Sequence, residues 1–224
     1  MKRRKKCHTY APGPRGLPFI GNIHQVDLSN PHLSFAKVIP NSEIRETKVH
    51  DVIDSVVGKE RKPTLEDREE MPYTNAVIHE TQSFGNIVPI SLPHETYRDT
   101  EVMGYTIPKG TTVIPNLSSA MFDENIWSTP HQFNPGHFIN SEGKVVKPEA
   151  FIAFSAGRRV CPGEQLAKAK LFLFFTSIFQ RFTFHLPENK PTPSYTEANT
   201  AITLSPLPYR LLNSDKVDGD VQEQ

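Results

Sequence analysis

The chain has 224 residues, 37% hydrophobic and 22% charged, and its 25 basic and 25 acidic side chains leave no formal net charge. That balance suits one globular domain or two small ones, excludes a chain disordered throughout, and carries no signal for nucleic acid. The 20 prolines imply much turn and irregular coil, and two cysteines, Cys7 and Cys161, are too few for a disulfide scaffold and fit a reducing compartment.

No CxxC or HExxH pattern occurs, so zinc has no basis. No stretch approaches the about 20 apolar residues of a membrane helix. The basic start is not followed by the apolar run of a signal peptide. Lys2 to Lys6 form that basic run, readable as a solvated tail or as a cluster drawn to anionic lipid. Ala11 to Pro18 is dense in proline and glycine and predicts an extended segment, with Phe19, Ile20 and Ile23 free to dock it on a core. Pro31 opens a short apolar stretch to Val38.

Asn41 and Ser42 suit a helix N-cap. Behind them Val49, Val52, Ile53, Val56 and Val57 recur three and four apart, and Gly58 stops the helix. Thr64 with Asp67 resembles a weak capping box. Pro72 suits the first position of a second helix, with Tyr73, Ala76, Val77, Ile78 and Phe84 apolar and Gly85 as its end. From Ile87 to Pro115 short β-branched runs alternate with Pro and Gly, predicting a small sheet with a tight turn at Met103-Gly104-Tyr105. Asn116 to Met121 suits one more helical turn. Phe122 to Pro148 is long and irregular, which in a compact domain often marks function. The longest helix is predicted from Pro162 to Phe182. Short strands follow around Thr183 to Leu186 and Ala201 to Leu212.

The segment between Phe154 and Gly163 carries the chemistry. Cys161 stands immediately before the helix that Pro162 is expected to open. A helix N-terminus offers partial positive charge and free N–H groups, an environment that favours thiolate. Gly157 and Gly163 let the backbone bend close to the sulfur. Arg159 offers a fork of donors for a carboxylate. Phe154 can cover the sulfur. A buried, inert cysteine is the bland alternative for any lone cysteine.

Phe154, Gly157, Arg159, Cys161 and Gly163 fill every fixed position of a haem-binding signature, and on them the chain resembles the cytochrome P-450 superfamily. The resemblance runs over nearly all of the chain and is closest to the microsomal vertebrate branch. Ala11 to Pro18 is similar to that branch's proline-rich hinge, Ser42 onward to helix J, Pro72 to Phe84 to helix K, Phe133 to Phe138 to the meander, and Pro162 to Phe182 to helix L. The resemblance implies haem b with Cys161 as axial iron ligand, Arg159 as a propionate contact, and His94 as a second propionate contact. It also implies a mainly α fold with small β sheets, a partial version of the family fold holding helices J, K and L, the meander and the haem loop.

Two departures from the family stand out. Its helix K carries Glu-x-x-Arg, whereas this chain reads Glu80-Thr81-Gln82-Ser83. A buried carboxylate without its cation is an uncompensated charge. His137, at the meander position, is then expected as the sole remaining partner of Glu80; an exposed Glu80 would need none. The second departure falls between Val38 and Ile39, where the family's middle, including the helix that crosses the distal face of the haem, is expected to be absent. The resemblance then divides the chain into a basic tail, hinge and start of the first helix (1–38), a proximal haem-thiolate portion (39–212) and a polar tail (213–224).

The function implied is that of a haem-thiolate monooxygenase family member, whose reaction inserts oxygen into apolar organic substrates and is expected to be impaired or absent here. The alternative is a non-catalytic, splice- or pseudogene-type relative. It would act at most as a module that meets reductase or membrane through the basic tail and Arg158, Lys168 and Lys170. The implied partners are an NADPH-dependent reductase and a peripheral membrane contact through Lys2 to Lys6, with no nucleic acid. The implied location is the cytosolic face of the endoplasmic reticulum membrane, or the cytosol if the lack of an anchor decides.

Overall fold

A computed structural model describes residues 42–185, 198–200, 203–206 and 212–216. The readings made for residues 1–41, among them Lys2 to Lys6, Cys7 and the proline-rich segment, lie outside the described residues. The chain forms two compact units. The described part of one is 90–116. The other holds 42–89 and the described residues from 117 onward.

In the larger unit, helix α1 spans Ser42–Val56. Its valine and isoleucine spacing is a packing face: Val49, Ile53 and Val57 are buried in the main core. Gly58 then takes φ +71°, a left-handed conformation that favours glycine, and the helix ends. A 3₁₀ turn, Glu66–Glu70, follows. The Asp67 carboxylate accepts from the Thr64 N–H at 2.7 Å, as the weak box suggested. The stronger partner is Arg61, whose guanidinium grips the same carboxylate with two bonds of 2.8 and 2.6 Å.

Helix α2, Pro72–Gly85, is the centre of this unit. It is buried from Thr74 to Gly85 except at Gln82, because α1, the later helix α4 (Glu164–Arg181) and the irregular chain around 133–138 all pack on it. Gly85 is its last helical residue and not its stop. Asn86 supplies the left-handed cap at φ 40°, and its amide N–H donates to Ser118 Oγ at 2.6 Å. Asparagine tolerates this conformation better than other L residues.

A short helix α3, Leu117–Met121, leads into the irregular stretch. That stretch is ordered by its own apolar cluster of Ala76, Trp127, Phe138 and Phe151. Helix α4 sends Phe172 into the main core, while Leu166, Phe174 and Ile178 are exposed. The antiparallel pairs Phe182–His185 (β5) with Leu212–Asp215 (β8), and Ala198–Thr200 (β6) with Leu204–Pro206 (β7), close the described chain. Strand β8 takes in Asn213 to Asp215, residues assigned above to the polar tail.

The smaller unit has two antiparallel pairs and not one sheet. His94–Glu95 (β1) pairs with Thr112–Val113 (β4), and Thr100–Val102 (β2) with Tyr105–Ile107 (β3). Met103 and Gly104 both have positive φ, 50° and 81°, the backbone that a two-residue turn between twisted strands requires. The run from Ile87 contributes a single bridge, Ile90 to Asn116.

His79 on α2 is buried, with its ring 5.5 Å from the Phe138 ring and 5.4 Å from the Phe151 ring. Burial pushes its pKa from 6.5 down to about 4. Asp67 is held down from 3.8 to about 2, chiefly by the Arg61 hydrogen bonds. For His79 the unfolded chain binds more protons between pH 6.5 and 4, so stability falls as pH drops through that window. For Asp67 the stabilisation is present above 3.8 and is lost as pH falls toward 2. Thermal melts across pH should therefore decline in two stages. H79F should flatten the upper stage without abolishing it, since burial also lowers His50. D67N should flatten the lower one. Unchanged slopes in both variants would remove this account.

Candidate functional site

Residues 154–163 form a backbone bracket. The Cys161 N–H donates to the Phe154 carbonyl at 3.0 Å, and the Val160 N–H to Gly157 at 3.2 Å. Ser155 and Gly157 take φ of 66° and 71°, and Gly157–Arg159 form a 3₁₀ turn. A Cβ on Gly157 would meet nothing within 4 Å, so glycine is favoured there by conformation and not by space. At Gly163 a Cβ would lie 3.8 Å from Cys161 Sγ and would cover one side of the sulfur.

Helix α4 opens at Glu164, two residues later than Pro162, with Gly163 as its N-cap. The Glu164 N–H donates to the Cys161 carbonyl at 3.2 Å. The cysteine is thus fixed by its backbone on both sides. Its thiol is free and exposed. This rules out the buried, inert reading of Cys161. It also corrects the expected cover from Phe154. That ring is half-buried and lies 5.8 Å from the Lys168 ammonium. Arg158 and Arg159 are exposed on the turn that precedes the cysteine.

The base of α4 is electrostatically tied. Lys168 pairs with Glu164, and Lys147 lies 3.6 Å from the same carboxylate. The Lys168 hydrogen bond holds Glu164 below the ordinary carboxylate range. Lys168 is therefore engaged and mostly buried, whereas Arg158, Arg159 and Lys170 are exposed, as is Lys147. His94 belongs to the smaller unit, on β1 opposite Val113. Phe154, Gly157, Arg159, Cys161 and Gly163 lie together in one loop.

The donor set suits haem. A soft thiolate is an established iron ligand, and a guanidinium two residues away suits a carboxylate. An exposed sulfur on a fixed backbone, with glycine on the helix side, leaves room for a flat group.

Glu80 anchors the irregular stretch. It is 2% exposed, so the exposed-carboxylate reading fails. Its Oε1 accepts from the Asn134 N–H at 2.7 Å, and its Oε2 faces His137 Nδ1 at 3.3 Å. His137 is therefore not the sole partner. The Thr129 N–H and hydroxyl lie 3.3 and 3.0 Å from His137 Nε2. A backbone N–H can only donate, so Nε2 accepts and Nδ1 carries the proton toward Glu80. Asn134 also donates its amide to Thr129 Oγ1 and accepts from the Gly136 N–H. Sequence reasoning missed Thr129 and Asn134. The Asn134-Pro135 step, a turn initiator, was the available signal.

The family model described as Cytochrome P450 matches residues 38–213. Over 166 residues, 74% of this chain and 33% of the relative, the chain is 52% identical to Cytochrome P450 2D20 of Mesocricetus auratus. Over the same shares it is 54% identical to Cytochrome P450 2D3 of Rattus norvegicus and 52% identical to Cytochrome P450 2D6 of Homo sapiens. The chain thus spans about a third of the length of these curated relatives.

Replacing His137 by Leu leaves the buried Glu80 carboxylate with one N–H donor. Such a loss should cost roughly 1–3 kcal/mol of stability in denaturant unfolding. The E80Q/H137L pair should cost clearly less than the sum of its single changes. Additive costs of surface size would show that the contact ties nothing.

Proposed function

This chain belongs to the cytochrome P450 family, and from that membership we propose that it is a haem-thiolate protein whose iron is held by Cys161. The observation that carries this reading is the exposed thiol of Cys161, held from both sides by backbone bonds at the foot of α4. Arg159 is the proposed contact to one haem propionate. His94 keeps the second propionate contact from the family motif alone. Gly157 and Gly163 admit the close backbone approach, and Phe154 borders the loop. Bound haem with a thiolate ligand supplies oxygen activation, and the family reaction inserts one oxygen atom into an apolar organic substrate.

We further propose that this chain by itself performs that reaction poorly or not at all. Oxygen insertion needs walls that orient substrate and exclude water, and the matched region covers a third of the relatives. Electrons would come from an NADPH-dependent reductase, for which Arg158 and Lys170 offer exposed cations. The endoplasmic reticulum face is the family's location. Among the described residues no helix is long and apolar enough to cross a membrane.

Haem reconstitution followed by a reduced carbon monoxide difference spectrum tests the ligation. The wild-type chain should give the strongly red-shifted band of thiolate ligation. C161S should lose that band while keeping the same far-ultraviolet dichroism. R159A should keep the band but release haem faster. A band typical of non-thiolate ligation in the wild type, or no haem uptake, overturns the proposal.

A further inference from the structure

Strand β1 is too short to fix a side chain through its ladder alone. It holds only His94 and Glu95, set opposite Val113 and Thr112 of β4. The bonds that secure it come from the next residue, Thr96. Its N–H donates to the Thr111 carbonyl at 3.0 Å, and its own carbonyl accepts from the Gly110 N–H at 2.8 Å. Its hydroxyl donates to the Pro108 carbonyl at 2.6 Å and accepts from the Thr111 N–H at 2.9 Å. Every polar group of Thr96 thus grips the 108–111 turn. Gly110 bends that turn with φ +76°, and the Thr111 hydroxyl adds a bond of 2.7 Å to the Pro108 carbonyl.

Alternation along the strand puts His94 and Thr96 on one face, both half-buried, and Glu95 and Tyr97 on the other, both exposed. Across the pair, the face of His94 continues into Val113 and Thr111. None of these four residues is acidic, so a carboxylate that meets the His94 ring meets no like charge from them. An imidazole N–H is a directional donor, and its bond weakens steeply when the angle is lost. The direction of this ring is set by the backbone of a two-residue strand, and that backbone is held by Thr96.

We propose that Thr96 is the positioning residue for the propionate contact at His94. Its hydroxyl pins the 108–111 turn to β1 and so fixes the angle at which the imidazole meets one haem propionate. The inference rests on the haem reading given above and deepens it.

Release of haem from the reconstituted chain to excess apomyoglobin tests it, with haem compared against its dimethyl ester, whose blocked propionates carry no charge. T96V removes both hydroxyl bonds at nearly constant volume. It should release haem roughly 3–10-fold faster than the unaltered chain, and the dimethyl ester at an unchanged rate. T96S restores the hydroxyl and should restore slow release. The T96V/H94A pair should release haem no faster than H94A. T111V loosens the same turn by one bond and should give a smaller acceleration confined to haem, which keeps the test decisive if T96V does not fold. Equal acceleration for haem and ester would make Thr96 a general brace of the fold. No acceleration for either would leave His94 placed without it. Both results overturn the proposal while the haem reading stands. Failure of the haem reading shows separately, in the unaltered chain, as a missing thiolate band, and removes this inference with it.

Discussion

A carboxylate taken out of water has to be hydrogen-bonded, and much of the larger unit is arranged around that demand at Glu80. The side chain projects from the most buried helix, so its partners had to be brought to it. They come from chain more than fifty positions away, as the Asn134 N–H and His137 Nδ1. Fixing Asn134 at its cap and His137 within it fixes the 3₁₀ turn Pro135–Phe138, and with it Phe138 in the second apolar cluster. Thr129 then holds the far nitrogen of His137. A stretch with little regular structure is thus ordered by polar satisfaction on one side and by ring packing on the other.

The cysteine loop depends on different bonds. Its hydrogen bonds span no more than seven positions, from Phe154 to Cys161 and from Cys161 to Glu164. Beneath it, the Glu164 pairing with Lys168 and Lys147 sets the first turn of α4, and Phe172 seats that helix in the main core. The loop holds the cysteine through both of its backbone groups, its N–H to Phe154 and its carbonyl from Glu164, and leaves the thiol exposed.

This difference in range explains what could be read from sequence. The apolar spacing in α1, the proline start of α2 and the Met103-Gly104 turn are local signals, and each element formed where they pointed. The signature residues from Phe154 to Gly163 were legible for the same reason. What failed was small and specific. Gly85 reads as a stop, yet Asn86 takes the left-handed cap because its amide finds Ser118. Pro162 reads as a first helical residue, yet a turn intervenes before Glu164. Phe154 reads as a cover for the sulfur, yet the thiol faces solvent. The Asn134 bond to Glu80 had no local pattern to announce it, since distant pairing leaves no mark on spacing, and the Arg61 grip on Asp67, though only six positions long, follows no helical or strand period.

The same distinction bears on what the chain can do. A ligand loop closed by local bonds needs only its own residues and the helix behind it. It can persist wherever α4 is seated on α1 and α2. Substrate chemistry is a long-range property, because it needs walls from parts of a fold far apart in sequence. α4 leaves Leu166, Phe174 and Ile178 exposed, so its outer side adds no packed wall among the described residues. A cysteine signature therefore argues for iron ligation directly and for turnover only through the rest of the fold. For a chain matching about a third of its relatives, those two inferences separate, and ligation is the one that the local bonds of this loop can sustain.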